Sequence, residues 1–136
     1  MIDHIGIRVA DLARSVLFCR QALAPLGYEV LMDFDFGVGL GRDGKPDLWL
    51  YPGAPGGVDT HVALAAQDRA AVDAFHAAAL AAGARDTGAP RLRPEYHPNY
   101  YGAFVADPDG HNLEAVCHRP DQGVAQAPAP ADEPAS

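Results

Sequence analysis

The chain is expected to adopt an α+β fold of two βαβββ modules, forming a half-open, cup-shaped mixed sheet with helices on the outside. An internal repeat is the first observation that predicts this. His4-Ile5-Gly6-Ile7 lines up with His61-Val62-Ala63-Leu64, and the same offset pairs Asp11 with Asp68 and Phe18 with Phe75. One residue of slip then pairs Gly27 with Gly83. The second observation is the order of signals in each copy: a period-two segment, an Asp cap, an amphipathic helix and a glycine stop.

The elements follow in order. Ile5, Ile7 and Val9 alternate with His4, Gly6 and Arg8, the pattern of a half-buried strand. Asp11 caps a helix whose buried stripe is Val16, Cys19 and Leu23, and Pro25 with Gly27 ends it. Shorter strands are expected near Tyr28–Phe34, Val38–Gly41 and Leu48–Tyr51, with Arg42-Asp43-Gly44-Lys45 as a hairpin turn. In the second copy Asp68 caps, Val72, Phe75 and Ala79 form the stripe, and Gly83 stops the helix. Its strands fall near Ala84–Thr87, Tyr101–Ala106 and Asn112–Cys117, the last two joined by Asp107-Pro108-Asp109-Gly110. The modules are placed at residues 1–53 and 54–118. Residues 119–136 lack periodicity and apolar content, and are expected to be a flexible tail.

Composition narrows the function. With 136 residues, 49% hydrophobic and 21% charged, this is an ordinary globular composition. The net charge of −8 argues against nucleic acid and anionic membranes as partners, since both select an excess of Lys and Arg. No apolar run approaches the roughly 18 residues of a spanning helix, and the N-terminus carries no signal-like stretch. Cys19 and Cys117 alone give no disulfide framework and no thiolate zinc site, so a reducing cytoplasmic setting is expected.

Alternation also sorts the polar residues. If Ile5, Ile7 and Val9 face the first helix, His4 and Arg8 face the other way. The same rule turns His61 away from Val62 and Leu64, and turns Asn112 and Glu114 away from Leu113, Ala115 and Cys117. Three metal-capable side chains, His4, His61 and Glu114, thus come from three strands and share one sheet face. Two imidazoles and a carboxylate with open positions suit Fe, Mn, Zn, Ni or Co as the divalent cofactor.

The segments DHIGIRVADLARSVLFCRQALAPLG, THVALAAQD and AFVADPDGHNLEAV resemble the vicinal oxygen chelate superfamily, which includes glyoxalase I, bleomycin-resistance proteins, fosfomycin-resistance transferases and extradiol dioxygenases. The resemblance runs from residue 1 to about 118. It implies a metal held by His4, His61 and Glu114, and a homodimer in which His4 of one chain meets His61 and Glu114 of the other. Unpaired edges of an open sheet are an independent reason to expect two chains. Glyoxalase I has a further carboxylate on the last strand of its first module. The matching segment here, Leu48-Trp49-Leu50-Tyr51, has none, which puts hemithioacetal isomerisation in doubt.

Between two strands, Arg91 to Tyr101 concentrates two arginines, a glutamate, a histidine and three tyrosines. As a cleft wall it offers His97 or Glu95 as the acid/base group, Arg93 as an anion contact, and Tyr100 or Tyr101 for stacking or hydrogen bonding. Glu114 stands among both the ligands and the catalytic candidates. Arg8 is placed to hold a substrate carboxylate or to pair with an acid at the sheet rim. Trp49 is packing or a pocket wall. His76 is expected partly exposed on the second helix, and His111 in the hairpin turn. The leading function is a metal-dependent enzyme, a lyase, isomerase or dioxygenase, that chelates neighbouring oxygens of a small substrate. The alternative is a metal-free protein that sequesters an antibiotic or metabolite, as bleomycin-resistance relatives do.

Overall fold

Apolar residues at every second position bury one side of β1 (Ile5–Val9) and β5 (His61–Ala65), while the intervening residues stay open. An aspartate begins each helix that follows. Asp11 accepts from Arg14 N at 3.1 Å to cap α1 (Leu12–Leu23), and Asp68 accepts from Ala71 N at 2.8 Å to cap α2 (Arg69–Ala81). A short 3-10 turn, Ala24–Leu26, follows α1 and stops at Gly27 (φ 85), and Gly83 (φ 104) follows α2; both glycines are in the left-handed region, where a Cβ would be strained. The computed structural model describes residues 1–120; most of the tail expected over residues 119–136 lies outside them.

Each module then adds three strands: β2 (Glu29–Phe34), β3 (Gly37–Arg42) and β4 (Lys45–Pro52) in the first, β6 (Arg85–Leu92), β7 (Tyr101–Ala106) and β8 (Asn112–Cys117) in the second. They form two four-stranded sheets of the same order, β1-β4-β3-β2 and β5-β8-β7-β6. Pairing is parallel between β1 and β4 and between β5 and β8, and antiparallel elsewhere, so both sheets are mixed. The predicted α+β fold of two βαβββ modules is the observed one, with open sheets and no closed barrel. Among the described residues no strand pairs across the two sheets.

Two local expectations need correcting. The strand expected to stop at Thr87 runs on to Leu92, so Arg91 and Leu92 belong to β6 rather than to a loop. Pro90 is tolerated because β6 is an edge strand with irregular register between Gly88 and Arg91. His76 is buried, not partly exposed. It lies on the inward stripe of α2 with Val72, Phe75 and Ala79, and its Nε2 sits 3.0 Å from Asp86 Oδ1.

Each sheet spends one face on its helix. Leu40, Leu48 and Leu50 of the first sheet and Ala103, Val105, Leu113 and Ala115 of the second join the core. The two helices also pack against each other. Asp109, in the hairpin between β7 and β8, reaches across the modules: it accepts from Ala10 N at 3.3 Å and pairs with Arg14 Nη2 at 3.1 Å. What remains uncovered by helix is the second face of each sheet.

Candidate functional site

On β8 the odd-numbered residues Leu113, Ala115 and Cys117 go to the core, which sends Glu114 to the other face, as alternation requires. Glu114 is nevertheless only 1% exposed. Its strand is central, with Ala63 opposite on β5 and Phe104 opposite on β7. Both carboxylate oxygens are engaged. His61 Nε2 lies 2.9 Å from Oε1, and the Tyr100 hydroxyl donates to Oε2 in a short hydrogen bond. Burial, and then the carboxylate itself, push the Tyr100 phenol above its ordinary range. The His61 side chain is half exposed and its ring leans on Phe104.

The chemistry of this donor pair fits a divalent cation. His61 Nε2 and Glu114 Oε1 are nitrogen and oxygen donors of the kind such a cation takes, and they stand 2.9 Å apart, within hydrogen-bonding distance of each other. His4 is not with them. It precedes β1 on the first module, where its Nδ1 sits 2.7 Å from Asp3 Oδ1, and it lines a shallow hollow with Met32, Lys45, Trp49 and Tyr51. One chain therefore supplies two of the three expected ligands to one place.

The loop before β7 is closed by Arg93 N donating to Tyr100 O at 2.7 Å. It places its residues unevenly. Tyr100 reaches Glu114, but its neighbour Tyr101 is on the opposite face, donating to Asp73 of α2 at 2.7 Å. Tyr101, expected at the cleft, is thus a helix contact, because consecutive strand residues point to opposite sides. Glu95 is exposed and paired with Arg91 at 3.2 Å; hydrogen bonds from its own backbone and from Arg91 hold its carboxyl below the usual range, the wrong direction for a general acid. His97 stacks with His118, its Nε2 lying 2.7 Å from His118 Nδ1, and both rings meet Tyr100 edge-on. Arg93 is buried, with its guanidinium over the Phe104 ring.

The first open face carries rings instead. Phe36, Phe34, Trp49 and Tyr51 stack in succession with interplanar angles of 6°, 4° and 9°, and Arg8 lies over Tyr51 at 5.2 Å. Register makes Trp49 the counterpart of Glu114: Gly6 pairs with Trp49 as Ala63 pairs with Glu114. The first module therefore holds an indole at the rung where the second holds an acid. Asp47 is no substitute, since it accepts from the Tyr28 hydroxyl at 2.7 Å.

A cluster not foreseen from the sequence is Asp107, Asp109 and His111, each offering one ligand atom within 4.8 Å of the others. His111, expected in the hairpin turn, follows it directly and is fully buried. Distance alone admits a cation there, but the carboxylates are already committed. Asp107 accepts from Asp109 N, His111 N and the His111 ring, and Asp109 faces the Arg14 guanidinium. The trio reads as a hairpin brace; the spacing Asp-Pro-Asp-Gly-His was the available signal.

The sequence model of the Glyoxalase/Bleomycin resistance protein/Dioxygenase superfamily matches residues 1–115. No curated protein sequence matches the chain. Among solved structures, a glyoxalase/bleomycin resistance protein from Albidiferax ferrireducens T118 is 26% identical, with a TM-score of 0.73 over 86% of this chain and 97% of that one. A glyoxalase/bleomycin resistance protein/dioxygenase family enzyme from Burkholderia phytofirmans PsJN is 20% identical, TM-score 0.68, covering 87% and 98%. Lactoylglutathione lyase from Agrobacterium tumefaciens is 19% identical, TM-score 0.65, covering 86% and 92%. The last two are likenesses of fold alone.

Proposed function

The chain belongs to the glyoxalase/bleomycin resistance protein/dioxygenase superfamily, and from that premise we propose that it is a divalent-metal-dependent enzyme acting on a small molecule through two neighbouring oxygens. The observation that carries this is the buried Glu114 with its Oε1 2.9 Å from His61 Nε2 on an open sheet face. His61 and Glu114 would hold the metal (Fe, Mn, Zn, Ni or Co), with His4 of a second copy as third ligand. When bound, the cation supplies Lewis-acid stabilisation of an anion that develops on the chelated substrate. Tyr100 fixes one oxygen of Glu114 and so leaves the other directed at His61. His97 is the remaining acid/base group of the loop. Its Nδ1 accepts from Asn99 N at 3.1 Å, which leaves the proton on Nε2. Arg8 and Trp49 form a wall of the cleft if two copies close over it, and Arg93 and Tyr100 form the other.

Trp49 in place of a second acid disfavours isomerisation of the glyoxalase type, which needs a base at that rung. The cytoplasmic setting expected from two cysteines, both free and buried, is part of this reading. The four-ring stack favours one other reading, a metal-free protein that sequesters an aromatic small molecule. Elemental analysis of purified protein separates the two. The enzyme reading expects about one metal per chain, lost in His61→Ala; metal-free protein that still binds small molecules would select the sequestering one.

A further inference from the structure

Beside the His61–Glu114 pair, the second open face contains a cavity of about 390 Å³ lined by Arg85, Thr87, Arg93, Tyr96, Phe104 and Asn112 among others. It adjoins the pair directly. Phe104 touches the His61 ring and stands opposite Glu114, and Asn112 pairs with His61 in the strand register.

The charge in this cavity is unusual for a protein of net charge −8. Arg93 is 7% exposed, and its hydrogen bonds go to two backbone carbonyls, Gly102 O at 3.2 Å and Ala89 O at 3.0 Å. Neither is an anion. Glu95 of its own loop is exposed, is in contact with Arg91, and senses the Arg93 charge more weakly than that of Arg91. Arg85, on the edge strand, also lines the cavity, and among the described residues neither arginine forms a salt bridge. Among the described residues no acid lines the cavity. A buried cation with no carboxylate in contact is costly to desolvate, and buried charges are ordinarily paired. Asn112 adds a second unfilled demand: its Oδ1 is buried without a hydrogen-bond partner. An amide turned end for end presents its N–H₂ group instead. Arg93 is also held rigidly, over Phe104 at 4.7 Å and by the two carbonyls, so its free edge is aimed before any ligand arrives.

We infer that this cavity is an oxyanion subsite: the small molecule that reaches His61 and Glu114 carries a carboxylate or phosphonate-like group, which docks on Arg93 with Arg85 at the mouth. The inference rests on the proposed site for its second half, the position of the reacting end, and stands without it for the first. The substrate class is therefore an anionic small molecule whose oxygen-bearing reactive end lies one side chain away from its acidic end.

The test uses the full chain after metal removal with a chelator, titrated calorimetrically with benzoate, phenylphosphonate and neutral benzyl alcohol. At least one anion is expected to bind and the alcohol is not; the stronger of the two anions identifies the acidic group. Arg93→Met and, separately, the surface variant Arg85→Gln should each weaken that anion, by about ten-fold or more for Arg93→Met, with unchanged circular dichroism. His61→Ala should leave anion binding intact, which keeps this result distinct from the metal reading. Binding of all three probes alike, binding of none, or anion binding undiminished in both arginine variants would overturn the subsite. If Arg93→Met fails to fold, Arg85→Gln and the probe comparison still decide it.

Discussion

The two open sheet faces share one topology and one register, yet they fill the same rung in opposite ways. In the first module Trp49 of β4 stands across from Gly39 of β3; in the second, Glu114 of β8 stands across from Phe104 of β7. Each rung holds one large ring, but the ring is on β4 in the first module and on β7 in the second. Placing the ring on β7 leaves the central strand of the second module room for a carboxylate, and Tyr100 and His61 close over it. Placing it on the central strand of the first module continues the stack from Phe36 to Tyr51. The scaffold repeats, while exchange of volume across one strand pair separates a polar centre from an aromatic wall.

The sharpest way to break this comparison is to remove both counterparts with the same side chain. Glu114→Leu should abolish metal binding and, by stranding the Tyr100 hydroxyl, destabilise the fold by about 1–3 kcal/mol. Trp49→Leu should leave metal content unchanged. Metal analysis and urea denaturation of both variants check this, and equal metal loss would dissolve the distinction between the faces. A smaller effect is expected at the other half of the first rung. A Cβ on Gly39 would come within 2.9 Å of the Trp49 ring, which is held between Phe34 and Tyr51. Gly39→Ala should cost about 1–3 kcal/mol and shift the fluorescence of the single tryptophan.

The smallest effect concerns a tyrosine–carboxylate pair of the first module. Burial, then the bond to Asp47, raises the Tyr28 phenol well above its usual value. The unfolded phenol titrates near about pH 10, so this contribution is fully present below that pH and is lost as pH rises toward the higher folded value. Tyr28→Phe should flatten the alkaline limb of stability measured between pH 9 and 11, about one unit either side of that value; an unchanged limb would show that the pair carries none of it.

The sequence made the scaffold readable because strand alternation and helix capping are local. Ile7, Val9, Val62 and Leu64 bury as alternation demands, and Asp11 and Asp68 cap as their positions suggest. It also put His61 and Glu114 on one face. What could not be read depends on chain returning from a distance. Glu114 is buried because Tyr100 folds back over it, and His111 because its hairpin is braced against the start of α1 through Asp109 and Arg14. Tyr101 went to the wrong side in the sequence reading because the boundary between loop and β7 decides its face. His4 stays on the first module beside Asp3, a placement that strand alternation alone does not encode.

The central claim is that His4 of one copy completes the site of His61 and Glu114 in another. His4→Ala and His61→Ala, each expressed alone, should bind almost no metal. Co-expressed, their mixed dimers regain one intact site, so random pairing should restore about a quarter of the wild-type metal content. Well-folded, co-expressed variants that stay metal-free, or His4→Ala retaining full metal by itself, would contradict the claim.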